Sequence, residues 1–314
     1  MNPVIPDTPT DILKARDLDV VPYAARVAGL SERLGIDLSV TVDALNAIPL
    51  CLPRDRHAEA RRDIAAMIAG RNEVLRAELP HIVRRHFARL TETGRVEVMR
   101  EAVAPAVAEL ISLLVGMPIG VEDTNHVSRI FSQSMGVARR KTLEAELGRL
   151  NAQLRATFPS SSARELGLKL SLMILGRDAM MGTFGCSLAA MAQAAEAGWN
   201  SLDWPDLPPR TGVPYIDRVA NADVMIGEQP VAKGQPVRAH LADFEASDDP
   251  RLRLSFFGAG AHLCLGRALA MDSWRALGRF LTDSSARPKV LTFELRRDDV
   301  FNIPGTFEIE VSKQ

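Results

Sequence analysis

The chain has 314 residues, 46% of them hydrophobic and 25% charged, with a formal net charge of −1; that is enough apolar material for one large domain or two closely packed ones. The near-neutral balance argues against nucleic acid or an anionic membrane as partner, since either calls for a clustered basic excess. Three widely spaced cysteines make no disulfide framework, no second Cys/His pair completes a zinc site, no apolar run reaches spanning length, and the opening Met-Asn-Pro-Val-Ile-Pro has no secretory pattern, so the cytoplasm is the expected location.

In chain order, residues 1–50 lack a convincing sheet and read as a divergent N-terminal segment. Helical periodicity runs through 55–91, 98–115, 125–157, 162–197 and 265–281. The first of these sets Ala, Ile, Met and Leu on one face and many arginines on the other. A Trp- and Pro-rich connection, 199–214, separates the long helices from strand-like pieces at 222–226, 236–240, 289–295 and 307–311, so strand signals are confined to the last third. The expectation is a mainly α protein with small β-sheets, one domain over 1–314, whose helical part covers 51–200 and whose remaining part, 201–314, holds a glycine-rich loop and the C-terminal strands.

That loop carries the chemistry. Residues 257–266 read Phe-Gly-Ala-Gly-Ala-His-Leu-Cys-Leu-Gly. Gly258 and Gly260 open backbone angles closed to other residues, so the turn can bring its N–H groups close to a sulfur or a flat ligand. Cys264 is expected at the start of a helix, where the positive end of the dipole favours thiolate. His262 can donate to a carboxylate on the same ligand, and Phe257 supplies an apolar wall.

The segment resembles the haem-binding loop of the cytochrome P450 superfamily, whose pattern F-x-x-G-x-[H/R]-x-C-x-G is met by Phe257, Gly260, His262, Cys264 and Gly266. His57 and Arg61 stand in Arg-Asp-Arg-His-Ala-Glu-Ala-Arg, similar to the superfamily's D-x-x-H-x-x-x-R helix, whose His and Arg bind the haem propionates. Four residues apart, they share a helix face, as two donors converging on adjacent carboxylates must; a solvated basic face would look the same. Arg218 resembles the propionate-binding Arg that the superfamily places before a short strand, with Gly227 and Gly234 fitting the turns that follow, and 289–311 resembles its C-terminal hairpin. The resemblance implies a reduced, bacterial-type cytochrome P450-like fold and haem b (iron protoporphyrin IX) as cofactor. It further implies Cys264 as the axial iron ligand, with His57, Arg61, Arg218 and His262 on the propionates.

Two departures bear on activity. Where the superfamily's oxygen-activating helix has A-G-x-[D/E]-T, this chain has Leu175-Gly176-Arg177-Asp178-Ala179. The acid is kept and the hydroxyl is lost. The resemblance gives Asp178 the catalytic part of relaying protons, while the plain reading pairs it with Arg177 or a neighbouring lysine; Gly176 would let the helix pass close over a flat ligand. Thr183, one turn on, either replaces the lost hydroxyl through a water or bonds its own helix backbone. The E-x-x-R pair of the superfamily is also missing between Gly176 and Cys264, and the six Glu-x-x-Arg spacings elsewhere, Glu73/Arg76 and Glu146/Arg149 among them, read as surface pairs.

Three functions follow from the resemblance. The first is haem-thiolate monooxygenation of a small organic substrate, using O2 and electrons from a separate ferredoxin-type donor, since no flavin or nicotinamide fingerprint is present. The second is peroxide-driven oxidation, or a non-oxidative rearrangement or dehydration, which needs less from a distal hydroxyl. The third is a haem-free accessory protein that supports a partner enzyme; a partner protein or a homo-oligomer stays open.

Overall fold

The computed structural model describes residues 3–5, 9–52, 54–124, 127–132, 134–296 and 300–313. The chain divides into two compact units. The first comprises Met1–Ala66, His126–Ile174 and Pro214–Leu265, the second Met67–Asn125, Leu175–Val213 and Gly266–Gln314.

The first unit opens with α1 (Pro9–Lys14), β1 (Leu18–Val20), α2 (Tyr23–Leu34) and α3 (Ser39–Ala47), ahead of most of α4 (Arg54–Ala69). The N-terminus of α3 is closed from outside. Leu38, its N-cap, offers no side-chain acceptor, and the Glu144 carboxylate accepts instead from Val40 N at 2.7 Å, Thr41 N at 2.9 Å and Thr41 Oγ1 at 2.6 Å. A negative charge on unsatisfied first-turn donors is favourable for both hydrogen bonding and dipole reasons. β1 pairs antiparallel with β3 (Tyr215–Ala220), which pairs with β6 (Pro236–His240), giving the sheet order β1-β3-β6. Period-two alternation turns Arg218 and Ala220 inward with Val237 and Ala239, all buried. The other face carries Asp217 and Arg238, joined bidentately at 2.7 and 2.9 Å. Between β3 and β6 lies the hairpin β4–β5 (Val224–Ile226, Gln229–Val231), and its turns use Gly227 at φ 57° and Gly234 at φ 80°.

The second unit is built on α5 (Asn72–Phe87) packed on α6 (Ala104–Val115). α5 buries Leu75, Leu79, Ile82, Val83 and Phe87, the i, i+4, i+7 stripe of an amphipathic helix, while Pro80 lies on its exposed side. A three-stranded antiparallel sheet has the order β2-β8-β7, from Gly94–Glu97, Pro304–Ser312 and Arg287–Leu295. In α10 (Arg267–Thr282) Trp274 is fully buried and donates from Nε1 to Pro205 O at 2.9 Å, as a buried indole must find an acceptor. The remaining helices are α7 (Val137–Thr157), α8 (Ala163–Ala194) and the single turn α9 (Pro250–Arg253).

Four sequence expectations are corrected. The stretch 55–91 is two helices, because Gly70 and Arg71 break the run; the Arg71 guanidinium lies against Gly116, at the carboxyl end of α6. The helix expected over 125–157 starts only at Val137, after a 3-10 turn at Val127–Phe131; Asn125 lies outside the described residues. Strands are not confined to the last third, and the first fifty residues do contribute to a sheet. β1 and β2 have three and four residues, too few to show alternation.

Candidate functional site

The glycine loop closes on itself. A 3-10 turn, Leu254–Phe257, ends at Gly258, whose φ of 80° belongs to the left-handed region, and Gly260 has φ 58°. Any side chain at Gly258 would put its Cβ 2.8 Å from the His262 carbonyl oxygen, so glycine is required there on two counts. Cys264 N donates to Phe257 O at 2.8 Å, and the Cys264 thiol is exposed. Phe257 packs on Phe256 with ring centroids 4.4 Å apart. One expectation changes: Cys264 does not open a helix. It stands two residues ahead of Gly266, the N-cap of α10, beyond the first turn where the dipole acts. Gly266 itself has φ −80°, an angle open to any residue.

Basic groups converge on this loop from two elements. On α4, Arg61 Nη2 donates to Leu263 O at 2.6 Å, and the His57 ring lies 4.4 Å from that of His262. His57 is 5% exposed. Burial first, then Arg61 and Arg218, hold its imidazole below the ordinary value, with Asp19 acting the other way. Arg218 lies in the middle of β3, not ahead of a strand, and is 5% exposed. Among the described residues its guanidinium makes one hydrogen bond, Nη1 to Asp217 O at 2.9 Å. Neither Arg61 nor Arg218 forms an ion pair among the described residues, and burial lowers the pKa of both. Two further residues beside Arg218 went unread in the sequence. Burial pushes the Tyr23 phenol up, and pushes the Cys51 thiol up to about 12 against the pull of Arg218. Tyr23 opens α2 just after β1, which pairs with β3, and Cys51 ends the 3-10 turn Pro49–Cys51; no motif marks either.

The helix expected to activate oxygen is α8, and its residues 175–194 belong to the second unit. Leu175, Gly176, Ala179 and Met180 form a half-buried stripe on an otherwise buried stretch. A Cβ at Gly176 would lie 2.9 Å from Ile111 Cδ1, so this glycine serves close packing of α8 on α6. Asp178 is 1% exposed. Its Oδ1 accepts from Arg177 Nη1 at 2.5 Å, and Arg296 Nη2 stands 3.5 Å from Oδ2. Thr183 does not bond its own helix; its Oγ1 accepts from Gly212 N at 2.9 Å. The Glu97/Arg100 spacing is not a surface pair either, because the Glu97 carboxylate accepts from the backbone N of Arg100 at 2.6 Å and of Phe307 at 3.0 Å.

No protein-family model matches the sequence, and no curated protein resembles it significantly. Solved structures do match it. A thermophilic cytochrome P450 from Sulfolobus tokodaii superposes with a TM-score of 0.71 at 17% identity, over 100% of this chain and 96% of that one. CYP109B1 from Bacillus subtilis gives 0.63 at 14% identity, over 84% and 86%.

The chain has the cytochrome P450 fold.

A third cytochrome P450, P450BioI, solved with an acyl carrier protein ligated to hexadec-9Z-enoic acid, gives a TM-score of 0.73 at 13% identity, over 96% of this chain and 89% of that one. At such identities the likeness establishes the P450 fold, mainly α with small antiparallel sheets. Among the described residues no helix is long and apolar enough to cross a membrane.

Proposed function

We propose that this P450-fold protein is a haem-thiolate oxidoreductase that holds haem b through Cys264, with its propionates on His57, Arg61, Arg218 and His262. The observation that carries the reading is Arg218, a guanidinium buried to 5% exposure with one backbone hydrogen bond and no direct ion pair among the described residues, Asp217 and Asp19 acting on it only from beyond salt-bridge distance. A buried charge without a direct ion pair is costly, by several kcal/mol in effective terms (about 3–5 when one partner of a buried pair is removed). A propionate would supply the missing charge. The donor set suits the same group: an exposed thiol on a closed glycine loop, with Arg61 fastening α4 to the residue before it.

When bound, such a haem supplies an iron whose thiolate ligand favours O–O cleavage. The chain's own part is to fix the sulfur, neutralise the propionates and orient a small organic substrate. Monooxygenation with O2 and a ferredoxin-type electron donor is the leading reaction. A specific observation favours the second, peroxide-driven or non-oxidative, reading: Ala179 has no hydroxyl, and that of Thr183, one turn on, is turned to Gly212 N, from which it accepts.

The test is haem titration of the purified protein, followed by the reduced carbon monoxide spectrum, beside Cys264→Ala. A thiolate-type red-shifted band present only with Cys264 is the expected result. No haem uptake would overturn the reading and leave the haem-free accessory role. With haem bound, turnover on peroxide without any reductase would select the second reaction class.

A further inference from the structure

Where β7 ends and β8 begins, Arg296, Asn302 and Pro304 lie on one face of α8, the face that carries Asp178. Asp178, Gly182, Gly185 and Cys186 recur at i, i+4, i+7 and i+8, the spacing of a single helix face. Each meets the segment where β7 passes into β8. Arg296 Nη2 stands 3.5 Å from Asp178 Oδ2. A Cβ at Gly182 would collide with the Asn302 carbonyl oxygen, and one at Gly185 would lie 3.0 Å from Pro304 Cγ and Cδ. Cys186 Sγ is 3.5 Å from Asn302 O. The segment is tied in turn by Arg296 N to Ile303 O at 2.9 Å and by Asn302 N to Gly212 O at 2.9 Å. Gly182 lets the backbones touch and Gly185 leaves room for the Pro304 ring and the Met99 sulfur; the acid is the one charged group among the four.

Asp178 is held from its other side as well. Arg177 Nη1 donates to its Oδ1 at 2.5 Å, and Arg177 Nη2 is fixed on Val121 O at 3.1 Å. At 1% exposure this carboxylate is enclosed, with one oxygen on each of two guanidiniums.

We infer that Asp178 is a positioning residue: shared by Arg177 and Arg296, it pins the end of β7 to α8. The inference does not depend on haem binding. Its test is amide hydrogen exchange on the full chain as purified, without added haem. In Arg296→Ala, exchange of residues 293–296 and 303–307 is expected to speed up by about tenfold or more while α5 and α6 keep their protection. Asp178→Asn should do the same, and the double variant should be no faster than the faster single one, because both remove the same link. Arg296→Lys, which keeps the charge, should restore most of the protection, whereas Arg296→Gln should not. Unchanged hairpin exchange in Arg296→Ala, or equal exchange in the Lys and Gln variants, would overturn the inference. Should Asp178→Asn fail to fold, Arg296→Ala decides alone, since it leaves the Arg177–Asp178 pair in place.

Discussion

Gly258 shows how much of the candidate site rests on one residue. Its φ of 80° and the 2.8 Å from its missing Cβ to the His262 carbonyl mean that Gly258→Ala must both strain the backbone and push the loop open. A left-handed non-glycine residue costs about 1–2 kcal/mol, and the clash adds to that. The expected outcome is a loss of about 2 kcal/mol or more of stability, read from the denaturant midpoint, together with loss of haem uptake. A variant that kept both would show that the loop does not depend on this turn. Gly176 is a contrasting case. It fits the superfamily pattern just as well, but Ile111 takes up the space its side chain would need, so matching a motif and meeting a ligand are separate properties.

At the scale of elements, legibility followed length and amphipathicity. α8 and α10 could be read because 32 and 16 residues of continuous pattern outweigh local noise, and β6 because Pro236–His240 alternates cleanly. β1, with three residues, exists only through its pairing with β3, and no local signal encodes a tertiary partner. For the same reason the two arginines on Asp178 were half legible: Arg177 is its neighbour in sequence, Arg296 is 118 positions away. The loop cysteine and the His57/Arg61 face were legible because each lies within one short motif. The cap on α3 is another long-range feature, and it is testable. Glu144→Ala removes three acceptor contacts and a charge from the first turn, and the expected loss is about 1–2 kcal/mol in urea unfolding. Glu144→Gln, which keeps one acceptor oxygen, should lose less. A loss in Glu144→Ala with none in Glu144→Gln would mean that the charge and the second oxygen add nothing to the cap.

For the molecule as a whole, a cofactor site differs from a purely structural cluster in the sign of a single comparison. If Arg218 were there to hold the fold, removing it would destabilise the chain with and without haem. As a buried guanidinium lacking an ion pair among the described residues, it instead costs the empty protein free energy, and an apolar residue of similar length relieves that cost. Arg218→Met is therefore expected to raise the stability of the haem-free chain by about 1 kcal/mol or more while weakening haem binding tenfold or more. Haem at 100 times its dissociation constant stabilises a folded chain by about 2.7 kcal/mol, so the two effects cross. Thermal unfolding at pH 7.5, where His57 is neutral because burial holds it below its ordinary value, should show the variant melting above the wild type without haem and below it at a haem concentration that saturates only the wild type. A variant that melts below the wild type under both conditions would assign Arg218 to the fold and remove the main support for propionates at this site.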